Sequence, residues 1–176
     1  MPKETNEIRR KRAAPPGLDL FDRRILGALV ADAGQSYARL GKTVGLSAPA
    51  VHERVKRLRA AGALTGISGR LDGAAIGKPL LAFVHVDLTG WGKGPPLMRI
   101  ADFPEVEEMH SVAGDAGMIL KVRTRSTDDL EALLHQLYAI PGVTASRSYV
   151  VLSTYLERPA QAEVTEAWPP VAMTPA

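Results

Sequence analysis

Apolar side chains recur at helical spacing through the first third of the chain. Leu18, Phe21, Ile25, Leu26 and Leu29 form one stripe, with Asp22, Arg23 and Arg24 assigned to the other side. Gly34 stops that helix. Ser36 is placed to cap a short second helix carrying Leu40 and Val44, which Gly45 closes. Ser47 is placed to cap a third, with Pro49 tolerated in its first turn. Val51, Val55 and Leu58, at i, i+4 and i+7, give this third helix a buried edge, and Gly62 ends it. Residues 64–71 are β-like and interrupted by Gly66 and Gly69, which predicts a two-stranded ribbon with a tight turn.

The period then changes. Strands are predicted at 80–89, 106–112, 118–124 and 143–154, with a turn at 114–117. A helix over 95–103 places Leu97, Ile100 and Ala101 on one side. Thr127 is the predicted cap of another, whose stripe is Leu130, Leu133, Leu134 and Leu137 and whose first turn holds Asp128 and Asp129. Phe103-Pro104-Glu105-Val106 and Ile140-Pro141-Gly142-Val143 each end a helix and open a strand with the same device. The resulting β-α-β-β-α-β order predicts a ferredoxin-like sheet.

Composition narrows the classes. The 176 residues are 45% hydrophobic and 23% charged, as in ordinary globular proteins. There is no cysteine, which excludes disulfides, thiolate metal sites and a cysteine nucleophile. No apolar run approaches the roughly 18 residues of a membrane span, and no apolar segment follows the charged start, so a cytoplasmic protein without membrane partners is expected. Seven of the thirteen prolines fall in residues 1–17 and 159–176, which are read as a disordered basic arm (Arg9 to Arg12) and a disordered tail from residue 158. The net charge of +3 conceals an asymmetry: +7 over residues 1–61 and −4 over 62–176. A basic first module facing a polyanion is one reading, uneven surface charge the other.

Residues 36–60 hold the most specific pattern: a short helix, a glycine turn and a basic second helix, the requirements of a helix-turn-helix. With Val51, Val55 and Leu58 inward, Pro49, His52, Glu53, Lys56 and Arg57 face the opposite side. Lys56 and Arg57 suit phosphates or guanine edges, and His52 a base edge. Glu53 either accepts from a cytosine amine or only shapes the field. Ser36 and Ser47 set helix N-termini where phosphates can sit. Arg54 lies near the edge of the buried face, as a partner for Asp19 or Asp22 or as a phosphate contact. A solvated helix pair within a helical scaffold is the plain alternative.

The chain resembles the leucine-responsive/asparagine-type (Lrp/AsnC) family of transcription regulators. The likeness rests on Leu18-Asp19, Asp22-Arg23-Arg24-Ile25-Leu26, Val44-Gly45-Leu46-Ser47, Glu53-Arg54-Val55-Lys56-Arg57-Leu58 and Gly62. Pro104-Glu105-Val106, Gly114-Asp115, Leu120-Lys121-Val122, Pro141-Gly142-Val143 and Tyr149-Val150-Val151 continue it, in order, to about residue 157. The resemblance implies an α+β chain: a helix-turn-helix domain at 18–63, a wing and linker strand at 64–78, and a ferredoxin-like βαββαβ effector and oligomerisation domain at 79–157. It also implies double-stranded DNA as partner and homodimers assembling into tetramers or octamers. Its DNA-contacting positions are Ser36, Tyr37, Ser47, Ala48, Pro49, Ala50, His52, Glu53, Lys56 and Arg57.

In the family, small effectors, often amino acids, bind between subunits near the turn joining the second and third strands. The implied residues here are Glu105, Gly114, Asp115, Ala116, Gly117 and Met118. The family's pattern of Gly-Asp, an aromatic and a second Asp reads Gly114-Asp115-Ala116-Gly117 in this chain. Lost bulk enlarges a pocket there and the lost carboxylate removes a partner for an amino group, which puts a typical amino-acid effector in doubt. A plain hairpin turn accounts for the same residues.

The remaining candidates are weaker. His52, His85, His110 and His135 lack metal-ligand spacing, and no cofactor or catalytic constellation is expected. The Gly90 to Gly94 loop lacks P-loop spacing, and its Trp91 is either an exposed loop aromatic or a subunit contact. The competing reading is a tetrapyrrole (siroheme-type) decarboxylase of the same two-domain architecture, which would favour His110 or Arg147 as pocket residues.

Overall fold

A computed structural model describes residues 17–89 and 94–167. The basic cluster at Arg9 to Arg12, Trp91 and the prolines from Pro169 onward lie outside the described residues. The chain divides into two compact units, Met1–Gly69 together with Arg158–Ala176, and Arg70–Glu157.

The first unit is three helices: α1 (Leu20–Ala31), α2 (Tyr37–Val44) and α3 (Ala48–Ala60). Asp19 caps α1 by accepting from the Asp22 backbone N–H at 2.8 Å, while the Asp22 carboxylate accepts from the Asp19 N–H at 3.3 Å. Ser36 and Ser47 cap α2 and α3 as expected. Gly45 ends α2 with φ of 76°, the left-handed region that favours glycine. Gly41 serves the same tight turn, because a Cβ there would stand 2.4 Å from the Leu46 carbonyl oxygen. Ile25, Leu40, Val51, Val55 and Leu58 are the buried centre of the unit.

The second unit holds β1 (Leu80–Leu88), α4 (Pro95–Met98) running into a 3-10 turn (Arg99–Asp102), β2 (Val106–Ser111), β3 (Met118–Thr124), α5 (Thr127–Tyr138) and β4 (Val143–Val150). The four strands form one antiparallel sheet in the order β2-β3-β1-β4. Ala82, Val84, Val86, Leu120 and Val122 project to one side and are buried with Leu97, Ile100, Leu133 and Leu137 from the helical segments. The opposite side carries Phe83, Lys121 and Tyr149 in one cross-strand row, and Ile119, His85 and Arg147 in the next.

Several expectations need correction. Asp22, assigned to the outside of α1, is 2% exposed. Residues 64–71 contain no strand, and Ile67 and Leu71 stay exposed. A ribbon needs a partner backbone, and Gly66 and Gly69 supply no cross-strand side chains to hold one. The helix over 95–103 is one α-helical turn followed by a 3-10 turn. Pro95 and Pro96 lack N–H donors, and the segment is too short to propagate a helix. Ser126, not Thr127, caps α5, its Oγ accepting from the Asp129 N–H at 3.2 Å. Strand β4 stops at Val150 rather than at residue 154. Val151 still donates to the Leu81 carbonyl at 2.9 Å, but β1 begins at Leu80 and offers nothing further to pair. Finally, residues 158–167 have no helix or strand, yet Ala162 packs against the helical core of the first unit instead of trailing free.

Candidate nucleic-acid interface

The outward side of α3 gathers most of the sequence candidates. Pro49, His52, Glu53, Lys56 and Arg57 are exposed, as are the capping residues Ser36 and Ser47, while Tyr37, Ala48 and Ala50 are half-buried. Tyr37 and His52 bring the two helices into register, with ring centroids 5.6 Å apart and planes tilted by 50°. His52 Nδ1 also lies 3.4 Å from Glu53 Oε1, so a protonated His52 would partly neutralise that carboxylate. Arg59 was missed. It is exposed and follows His52 and Lys56 at i, i+4 and i+7, so the helical wheel already placed it on their flank.

The position of α3 is set by a buried charge. Arg54 Nη1 donates to Asp19 Oδ2 at 2.7 Å and to Asp22 Oδ1 at 2.8 Å. Arg57 Nη2 lies 2.7 Å from both oxygens of Asp22. Two guanidiniums from α3 thus enclose a carboxylate that α1 removes from water, and the reading of Arg54 as the partner of Asp19 or Asp22 holds for both. Arg57 has two obligations: one nitrogen is committed to Asp22, while its side chain stays 59% exposed on the α3 surface. The hydrogen bond from Arg54, followed by that from the Asp22 backbone N–H, holds the Asp19 carboxyl below the usual aspartate range.

The turn at 114–117 is built differently. Ala116 and Met118 are buried, Asp115 is exposed, and the Gly117 N–H donates to the Val86 carbonyl at 3.2 Å. Arg147 forms a two-pronged pair with Asp87 at 3.0 and 3.2 Å, and its Nη2 reaches the Asp115 carbonyl at 3.4 Å. Glu105 does not join this turn. It precedes β2 at the far end of the β2–β3 hairpin, beside Lys78 Nζ at 3.4 Å. Six residues of strand put it roughly 20 Å from Gly114 within one chain. His110 and Arg147 are likewise apart, at opposite edges of one cross-strand row, about three strand spacings or ~14 Å. His110 instead faces Glu108 at 3.0 Å. Among the described residues no group of His, Asp and Glu has the arrangement of a metal site.

Comparison with known proteins covers both units. A model of the AsnC-type helix-turn-helix domain matches residues 18–59, and one of the Lrp/AsnC ligand binding domain matches residues 81–161. The transcriptional regulator LrpA of Mycobacterium tuberculosis is 36% identical over 141 residues, 78% of this chain and 92% of that protein. The leucine-responsive regulatory protein of Escherichia coli is 34% identical over 149 residues, 81% of this chain and 89% of that protein. The crystal structure of the Mycobacterium tuberculosis leucine response regulatory protein aligns with a TM-score of 0.73 and 32% identity over 83% of this chain and all of that one. Escherichia coli AsnC gives a TM-score of 0.72 and 28% identity over 81% of this chain and 97% of that one.

The charge cluster makes a direct prediction. Asp22→Asn leaves two guanidiniums short of their shared partner and should destabilise the first unit by about 1–3 kcal/mol, read from denaturant melts. Because the Asp19 carboxyl is held low, its contribution is complete above the ordinary aspartate value of about 3.9 and is lost as pH falls through the lower folded value. Acid titration of Asp19→Asn should therefore show a shallower loss of stability below about pH 4 than the unmodified chain.

Proposed function

This chain belongs to the Lrp/AsnC family of helix-turn-helix transcription regulators, and we propose that it reads duplex DNA with the outer face of α3 as a homodimer whose second unit takes a small effector. It is a DNA-binding regulator with a ligand-binding domain, and nothing among these relatives supports the decarboxylase alternative. The observation that carries the DNA assignment is the His52–Lys56–Arg59 flank. Among the described residues Lys56 and Arg59 make no ion pair, whereas Arg54 and Arg57 are held by acids. Exposed cations without internal partners are what a polyanion can recruit. In this reading Lys56 and Arg59 take phosphates, Arg57 keeps its exposed edge for a phosphate or guanine, and Ser36 and Ser47 present helix N-termini to the backbone. His52, Glu53, Pro49, Ala48, Ala50 and Tyr37 shape the surface that meets the bases.

The open side of the sheet supports the dimer. Phe83 and Tyr149 pair across β1 and β4 at 40% and 53% exposure, unusually wet for aromatic strand residues. Charged pairs border them: Lys121 with Glu107, Glu108 and Glu157, and Arg123 with Glu107. An apolar centre inside a charged rim is the anatomy of a protein interface. A dimer formed there would present two copies of α3 to half-sites about 34 Å apart or a multiple of that. We assign the effector to the turn at Gly114, Asp115, Ala116, Gly117 and Met118, where Asp115 is the exposed acceptor; Glu105 takes part only if it comes from a second chain. Higher assembly into tetramers or octamers builds on the same dimer.

Three measurements follow from this reading. Fluorescence anisotropy against duplex DNA should give affinity that falls with salt, and Lys56→Ala should reduce the log–log slope by about one. A duplex screen without salt-dependent binding overturns the assignment. Phe83→Lys should shift the sedimentation profile toward monomer, with DNA affinity falling alongside. An amino-acid panel should contain a compound that raises the melting temperature of the native chain and not of Asp115→Ala; a panel without any shift assigns the turn a purely structural role.

A further inference from the structure

The segments matched to the family end at residue 161, and the chain continues. Immediately beyond that point it meets α1 in three ways. Arg23 Nη1 donates to the Ala162 carbonyl at 2.8 Å. The Ala162 side chain packs against the buried cluster of α1, α2 and α3. A Cβ on Gly27 would lie 3.0 Å from Glu163 Oε1, so the segment crosses α1 where glycine leaves it room. Arg23 and Gly27 are one turn apart on the same flank of α1, and Arg23 is half-buried although an arginine at a helix surface is normally wet. A hydrogen bond, an apolar contact and a missing side chain therefore coincide on one patch, and the same ten-residue segment supplies the other half of each.

We propose that residues 158–167 are an intramolecular clasp, docked on the Arg23–Gly27 flank of α1, that stabilises the DNA-binding unit. The chain leaves this unit at Gly69 and re-enters it at Arg158, so the unit is tethered to the sheet domain at two points in the sequence. The occupant of the α1 flank is this chain's own segment: residues 158–167 and α1 fall in one compact unit, and the Arg23–Ala162 hydrogen bond joins them within a single chain. The clasp closes over the first helix and leaves the outward face of α3 uncovered. It acts on the stability of the reader and not on access to DNA. Shortening the chain after Glu157, or occupying the α1 flank with another molecule, would loosen the unit from behind.

The test uses the absence of native cysteine. Gly27→Cys combined with Glu163→Cys is treated with a short bismaleimide in the full-length chain. Linking should occur within one chain, at least tenfold faster in buffer than in urea, and Arg23→Ala should slow it several-fold. Linking between chains, or a rate in buffer no higher than in urea, overturns the proposal. In parallel, a chain stopped after Glu157 should melt several degrees lower while still binding duplex DNA. An unchanged melt overturns the stabilising role. Cross-linking and melting are both read without DNA, so they can fail while the DNA assignment stands, and the reverse.

Discussion

A carboxylate taken out of water governs the first unit. Asp22 is almost wholly buried on α1, and a bare carboxylate there would cost several kcal/mol. Arg54 and Arg57 remove that cost only when α3 lies at the angle that brings both guanidiniums to it. The apolar core of Ile25, Leu40, Val51, Val55 and Leu58 holds the helices together without fixing direction, since apolar contact is non-directional. The charge cluster supplies that direction. Asp19 and Asp22 stand three residues apart on α1, Arg54 and Arg57 three apart on α3, so each acid meets a base one turn along. Sliding α3 by a single residue would break every member at once.

This arrangement also divides labour on the recognition helix. One flank, Arg54 and part of Arg57, faces inward and is spent on orientation. The other, His52, Lys56 and Arg59, faces outward. A helix carrying four basic residues and one histidine is thus less charged toward its ligand than composition suggests. In the proposed reading Arg57 belongs to both sides, which makes its loss ambiguous: weaker DNA binding and lower stability would follow from the same substitution. Lys56 lacks that double role and is the cleaner reporter of phosphate contact.

Much of this was legible in the sequence. Ser36, Gly45 and Ser47 mark helix ends through local chemistry, and local chemistry needs no knowledge of the rest of the chain. The strands predicted at 80–89 and 118–124 correspond to β1 and β3 to within one residue. The failures share another cause. At 100° per residue Asp22 falls between Ile25, Leu26 and Leu29, squarely on the buried side, and only its charge argued for the outside. Its arginine partners lie more than thirty residues away, and a wheel drawn for one helix cannot contain them. The ribbon at 64–71 and the overlong final strand failed because strand formation depends on a partner edge, which β-like composition does not guarantee. The docked tail was invisible because Ala and Pro give no amphipathic signal; Gly27, an unforced glycine inside α1, was the one available hint.

The hairpin geometry carries a consequence for regulation. Glu105 and the Gly114 turn sit at opposite ends of β2 and β3, and a rigid antiparallel ladder keeps them apart in any single chain. A ligand touching both must therefore take them from different chains. Such a ligand binds the assembled form and not the separated one, so its binding free energy becomes assembly free energy, and a given factor in affinity is the same factor in association. A ligand confined to the turn has no such leverage: it would meet Asp115 with Arg147 and Asp87 already paired behind it, all within one chain. Whether an effector changes oligomeric state is accordingly a statement about which end of the hairpin it reaches. In the proposed dimer the exposed Phe83 and Tyr149 lie between those ends, where such coupling would be felt.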